Sequence, residues 1–396
     1  MKNIETVEKI IFYSMCGFFL VNLHSTALGN AFLAVGLVLT VYRLWLKHDD
    51  IPERFTVGKK CYVAFSAFWV IVLSSCFLSG DVTHCLSAFF KDYVFKVAGF
   101  LIIMVACYEK RRLLILIMIE VAVITFNGFA AVYAFLMFNQ RTGGQLAIMV
   151  MAGLLSIVVP VLISATVLTR GKKCLISVAS VAFFAIVAVA NGTRGAWVAI
   201  VLTAFISVCF MMESWKKRVL VVLVSVLLVA GSVMSGGYVG GRVQSIFKAS
   251  DRSSMERFYL WQSAYNMFDD NKVLGVGLSR FGGLYKKKYI LPEARQPQLY
   301  HAHSNVFMVL AECGGLGLIA LLALWGQMVW FGLGGWLKTR QFAYIAFFCI
   351  TSGLFIQGLT EYNMGNTAVM KFFWCSLAVC MQLININAKS ELCEGR

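Results

Sequence analysis

Long apolar runs broken by short polar stretches fill most of this chain. About 20 apolar residues span a bilayer. On that measure twelve segments qualify, at roughly 10–26, 28–46, 61–79, 93–108, 113–136, 146–168, 174–191, 195–212, 218–236, 304–332, 342–360 and 365–386. The tenth is long, and its first turns are expected to form an interfacial or re-entrant piece ahead of the true span. Strands of a membrane barrel would instead read as short alternating segments. With only four prolines among 396 residues, the pattern predicts helices. No Ala-x-Ala cleavage site follows the first run, so it is read as a retained helix. The expected fold is an all-α polytopic membrane protein, one integral membrane domain over residues 1–396.

Composition agrees. Hydrophobic residues make up 60% of the chain and charged residues 14%, more apolar surface than a soluble domain can bury. The net charge of +16 raises nucleic acid as a partner, but the basic residues lie in clusters between apolar runs, which is a topology signal. Every second loop carries such a cluster: Lys2 and Lys9, then Arg43 to Lys60, Lys110 to Arg112, Arg170 to Lys173, Lys216 to Arg218, Lys338 and Arg340, and Lys389 with Arg396. Both termini are therefore expected in the cytoplasm. The twelve cysteines are scattered through apolar runs without a C-x-x-C pair. They read as small hydrophobes, with Cys85 and Cys313, near helix ends, the two least certain.

One outer loop departs from the pattern. Residues 237–303, between the ninth and tenth spans, are long and polar, and a loop of that size is usually functional. Ser253-Ser254-Met255-Glu256 reads as a capping box opening a helix over about 253–268. Phe258, Trp261, Tyr265 and Phe268 recur at helical spacing, as for a helix lying on a membrane or on the bundle. Arg257 flanks that stripe and Glu256 points away from it. Gly275, Gly277, Gly282 and Gly283 punctuate the loop beyond.

Three places on this outer face carry candidate chemistry. Asn191-Gly192-Thr193-Arg194-Gly195 joins spans seven and eight and puts Arg194 at a helix N-terminus. Free N–H groups and the helix dipole favour anions there, and a guanidinium adds a fork suited to phosphate. The plain alternative is a snorkelling anchor. Arg257 is the second candidate, against a lipid-headgroup contact. Arg242, Lys248, Arg252, Arg280, Lys286, Lys287, Lys288 and Arg295 are weaker, although together they attract a polyanion. The third place holds His301 and His303 just before the tenth span. A positive helix end and nearby arginines depress an imidazole pKa, which suits a general base near pH 7. A structural helix-capping histidine is the alternative. A metal pair would need a further ligand from Asp251, Glu256, Asp269, Asp270, Glu293 or Glu361. None stands at helical or strand ligand spacing to the pair, so no metal and no cofactor are expected. The common theme is a cationic, phosphate-sized site beside a candidate base, which suits a lipid diphosphate whose leaving group needs neutralisation. The outer face holds no ATP, which argues against a nucleotide donor.

Four stretches together resemble the O-antigen ligases of Gram-negative inner membranes, within the O-antigen ligase and polymerase superfamily. They are Thr193-Arg194-Gly195 opening a helix; Arg257 followed by Trp261 and Ala264; Leu274-Gly275-Val276-Gly277 with Phe281; and His303-Ser304, nine residues, then Gly314-Gly315-Leu316-Gly317. The resemblance implies a GT-C-like ligase/polymerase architecture. It also implies a metal-independent glycosyl transfer from undecaprenyl-diphosphate-linked O-antigen to a sugar hydroxyl of lipid A–core, at the periplasmic face and among membrane lipids. By motif, His303 would be the base and Arg194 and Arg257 would hold the diphosphate. His301 falls outside the signature and is a further candidate for diphosphate binding. Pro160 is expected to kink the sixth span and shape a cavity.

Alternatives stay open. A polymerase would use the same chemistry with a lipid-linked glycan acceptor. An enzyme modifying protein is disfavoured by the short stretch after residue 386. A transporter would place ionisable groups at mid-membrane. Here Glu120, Lys96 and Lys371 are the few charges inside predicted spans, and each is expected to snorkel to an interface.

Overall fold

The computed structural model describes residues 2–214, 216, 240, 241, 244 and 252–394. Among these residues the chain is all-helical, with no β-strand. In order the helices are α1 (Lys2–Val21), α2 (Thr26–Leu46), α3 (Lys59–Phe77), α4 (Val82–Phe89), α5 (Phe95–Ala106), α6 (Lys110–Phe138), α7 (Ile148–Leu168), α8 (Lys172–Asn191) and α9 (Arg194–Met211). There follow α10 (Arg252–Asp270), α11 (Phe281–Leu284), α12 (Asn305–Thr339), α13 (Phe342–Gly358) and α14 (Thr367–Glu394). Eight of them, α2, α3, α6, α7, α8, α9, α12 and α14, are long and apolar enough to cross a membrane. The α13 helix is apolar but has 17 residues. A π-helical turn, Phe90–Val94, joins α4 to α5 without a break. Of the twelve predicted spans, all but the ninth fall on these helices. The ninth, 218–236, lies outside the described residues.

Helices that are apolar on every side suit a bundle wrapped in lipid. Phe68, Val72 and Ile102 are buried between helices, while Val63, Val70, Phe129, Tyr133 and Trp330 face outward and exposed. The α5 helix packs along α14 and α3 along α12, while α7 is flanked by α8, α9 and α13. Pro160 sits inside α7, where it cannot donate to the Ser156 carbonyl one turn back. That carbonyl is met by α13: a methyl group added to Gly353 would lie 1.9 Å from the Ser156 oxygen. The proline thus marks a close helix–helix approach, where the sequence had suggested a cavity.

The charges inside spans do not snorkel. Lys96 and Lys371 are each 1% exposed. Lys96 donates to the carbonyls of Met364 and Gly365 at 3.0 and 3.2 Å and pairs with Asp92 at 2.8 Å. Lys371 donates to Asn30 and lies 4.9 Å from the Phe95 ring centroid. Glu120 accepts from Ser376 at 3.4 Å. Lys96 thus reaches the α13–α14 link at the outer end of the bundle while its amine stays buried, and Glu120 finds its partner within the bundle. At the opposite end of the bundle, Arg43 is buried between Glu8 and Asp50, at 3.0 and 2.6 Å. This pairing lets α1 begin at Lys2, well ahead of the first predicted apolar run. All described cysteines are free thiols, and Cys85 and Cys313 are buried within the apolar core.

Beyond α9, α10 packs against α12. Its inward face is Leu260, Ala264 and Met267, which share a second small core with Val276, Phe281, Tyr285, Tyr289, Ala302 and Met308. The aromatic stripe read from the sequence divides. Trp261 stacks on Phe307, centroids 5.0 Å apart, whereas Phe258 and Tyr265 stay exposed. The capping box is also revised. Residue 252 is already helical, and Glu256 is buried, accepting the backbone N–H of Arg295 at 3.1 Å.

Candidate active site

The site is built on a broken helix. Gly314 interrupts α12 with φ 66° and ψ −164°, a conformation open to glycine alone. The break leaves backbone groups without helical partners, and residues 272–277 supply them. Val276 and Gly277 donate to the carbonyls of Ala311 and Glu312 at 2.9 and 3.0 Å, and Gly315 and Leu316 donate to those of Lys272 and Val273 at 2.8 and 3.2 Å. The two strands of this clamp approach so closely that a methyl on Gly275 would sit 2.4 Å from the carbonyl carbon of Glu312. The glycines on both sides of the histidine motif therefore serve one purpose: they lock the outer segment onto the head of α12.

The histidines occupy the turn that enters this helix. Ser304 is the N-cap, its side chain accepting from Phe307 N. His303 has a left-handed backbone, φ 47°. That turn is held by the His303 N–H, which donates to Nδ1 of His301 at 3.3 Å, and by Trp261, whose indole N–H donates to the Ala302 carbonyl at 2.9 Å. Burial pushes the His301 imidazole down to about 4, with the charges of His303 and Arg257 adding to the shift and Glu361 opposing it. A neutral ring that accepts at Nδ1 matches that environment.

The side chain of His303 meets Glu361, its Nδ1 3.1 Å from Oε1, while Arg257 donates to Oε2 at 3.2 Å. The side chains of His303 and Arg257 each retain 23% of their surface accessible, against 10% for Glu361. The outer two are thus more accessible than the carboxylate between them. Burial raises a carboxyl, yet the His303 bond and the charges of His303, Arg257 and His301 hold Glu361 below its ordinary value.

Glu361 lies on the short link between α13 and α14, and this link is tightly held. Asn305, at the first turn of α12, donates to Asn363 at 2.6 Å and accepts the N–H of Met364 at 3.1 Å. Asn363 donates to Leu354 and Gln357 of α13, at 2.8 and 3.0 Å, and Lys96 holds the 364 and 365 carbonyls from α5.

Arg194 is the first residue of α9. The next residue, Gly195, abuts this same link: a methyl there would lie 2.6 Å from the hydroxyl of Thr360, neighbour of Glu361. The head of α9 and the head of α12 therefore share one end of the bundle. A cation absent from the sequence reading joins them. Arg141, on the α6–α7 link, donates to Thr193 Oγ1 at 3.0 Å, and Asn191 holds that link through the Thr142 and Ile148 carbonyls at 3.3 and 2.9 Å.

His301, His303 and Glu361 also form a group whose possible ligand atoms lie within 4.8 Å of one another. Of the carboxylates that the sequence offered as a further ligand, all without helical or strand spacing to the pair, chain folding brings Glu361 to the histidines. The carboxylate of this group is already paired with the Arg257 guanidinium at 3.2 Å. Several other loop cations are engaged away from the histidines: Lys288 with Asp270 at 2.7 Å and Lys272 with Asp269 at 3.2 Å. Arg242 and Lys248, and the side chain of Arg252, lie outside the described residues.

Two signals for the missed residues are visible in the chain. Glu361 is the acidic residue of a short link between two apolar runs, and Arg141 is a lone cation on an otherwise uncharged outer link. No curated protein matches the chain. A family model described as O-Antigen ligase matches residues 179–322, the stretch that holds Arg194, Arg257, His301, His303 and the Gly314 break. Over those residues the chain is similar to the O-antigen ligase family.

Proposed function

We propose that the chain transfers a glycan from undecaprenyl diphosphate to a sugar hydroxyl of lipid A–core, at the periplasmic face of the inner membrane. In this reading twelve spans place both termini in the cytoplasm and the 237–303 loop outside. The contact of His303 and Arg257 with opposite oxygens of Glu361, at the same end of the bundle as the head of α9, is the observation that carries the reading.

The chemistry is an inverting displacement. Glu361 accepts the Nδ1 proton of His303, which leaves the Nε2 lone pair to take the proton of the acceptor hydroxyl. The hydroxyl oxygen bonds to the anomeric carbon as the bond to the diphosphate breaks, and the electron pair leaves with undecaprenyl diphosphate. Arg194 and Arg257 offset the charge that grows there, an effect worth about 3 kcal/mol per well-placed donor in a water-poor site. No metal or nucleotide takes part, since the guanidinium groups supply the neutralisation. His301 acts by holding the His303 turn.

A deletion strain tests this. Loss of polymer from lipid A–core, with lipid-linked polymer accumulating, is the expected result. A single repeat left on the core would instead identify a polymerase acting on lipid-linked glycan. Loss of polymer from lipid A–core with the lipid-linked glycan retained on the cytoplasmic side would point to a transporter of lipid-linked glycan.

A further inference from the structure

Glu361 divides its two oxygens between the residue proposed to remove a proton and a residue proposed to bind the leaving group. It is 7% exposed and rigidly placed by Asn305, Asn363 and Lys96 around its link. The Arg257 head is more accessible than the carboxylate it grips. A diphosphate arriving at the site therefore meets Arg257 first and competes with Glu361 for it.

We propose that Glu361 is a positioning residue that couples donor binding to base strength: the diphosphate draws Arg257 away, and the carboxylate is left to His303 alone. The idea rests on the donor class proposed above. In the donor-free state the guanidinium offsets the carboxylate, so the imidazole feels little net negative charge. Once the diphosphate holds Arg257, the full charge of Glu361 acts on His303 and strengthens it as a proton acceptor. The other groups facing the pair are His301 on the same turn and Tyr362 next along the chain, with Arg194 close by at the head of α9. Glu312, Asp92 and Cys313 lie near enough to act on the Tyr362 phenol. None of these is shared between the two functional groups as Glu361 is.

The test uses the full-length protein in detergent with inorganic pyrophosphate as the binding probe, alongside transfer assays at saturating acceptor. In Glu361→Gln, pyrophosphate should bind several-fold more tightly, because Arg257 loses a competitor, while transfer falls about 10²-fold. A residue that merely supports the fold would lower both. In the wild type, the acid limb of kcat, which reports the donor complex, should lie at higher pH than that of kcat/KM, which reports the free enzyme. The gap should narrow in Glu361→Gln, and both limbs should move to lower pH as the imidazole loses its anionic partner. Coincident limbs in the wild type, or pyrophosphate bound more weakly by Glu361→Gln, would overturn the coupling. Should Glu361→Gln fail to accumulate, Arg257→Gln gives the same answer, with the acid limb of residual activity already at the higher pH. An unmoved limb there would overturn the coupling too. Wild-type protein that binds no pyrophosphate would remove the donor reading itself, a different failure.

Discussion

His303 and Glu361 stand 58 positions apart in the chain and 3.1 Å apart in space. Between them lie α12, α13 and two turns, so the contact depends on how two helix ends are brought together and not on local sequence. Both ends are tied by backbone and amide hydrogen bonds that position the carboxylate before any substrate arrives.

Removing the imidazole should stop transfer while sparing the fold, because His303 lies in a turn held by its neighbours. His303→Ala is expected to lower transfer by about 10²–10⁴-fold, abolishing smooth lipopolysaccharide, with normal amounts of protein in the membrane fraction. A wild-type ladder on a gel would take His303 out of the reaction.

Arg194 begins a helix, the end at which backbone N–H groups lack helical partners. A lysine keeps the charge but loses the fork that matches two phosphate oxygens. Arg194→Lys should cost at least about tenfold in transfer, with larger loss in Arg194→Ala, measured on purified enzyme with lipid-linked donor. Full activity in the lysine variant would reassign the residue to anchoring.

The break at Gly314 cannot accept a side chain. Gly314→Ala meets both a forbidden backbone region, worth about 1–3 kcal/mol, and a contact 2.4 Å from the Val273 carbonyl oxygen. Lower thermal stability in detergent and reduced accumulation should follow. Gly283→Ala, where nothing lies within 4 Å of the added methyl, is the matched control and should melt like the wild type.

The pH dependence of stability carries a sign. An imidazole held at about 4 in the folded chain and near 6.5 when unfolded takes up its proton only on unfolding between those values. Stability should therefore be complete above about pH 6.5 and fall as pH drops toward 4, by on the order of 2 kcal/mol after allowance for solvent access. His301→Asn, which keeps an acceptor for the His303 N–H but does not titrate, should flatten this part of the melting curve. A variant with the wild-type slope would place the titration elsewhere.

A chelator should leave transfer by purified enzyme unchanged. Activity lost to the chelator and restored by one divalent ion would give His301, His303 and Glu361 a ligand role in place of the one argued above.

Much of this was legible in the chain because a lipid environment enforces simple rules. Apolar run length located the described spans, and the length of the tenth run suggested a separate first piece, which ends at the break at Gly314. Arg194, Arg257 and His303 stand out in the chain because each sits beside a helix start or a glycine motif. Glu361 stands out only as one of six possible further ligands and Arg141 not at all, since each is a single charge on a short link, meaningful only once folding supplies its partner. The burial of Lys96 and Lys371 was hidden for a related reason. Charge within an apolar run reads as a cost to be relieved in water at an interface, and the sequence does not display the distant carbonyls and Asn30 that receive them. The early start of α1 was hidden in the same way, by a Glu8–Arg43 pair formed across two helices.

The clamp between residues 272–277 and the broken helix joins main chain to main chain. Such a fastening is indifferent to most of the side chains around it. The exposed parts of the outer segment can thus be rewritten while the head of α12, which they border, keeps its place.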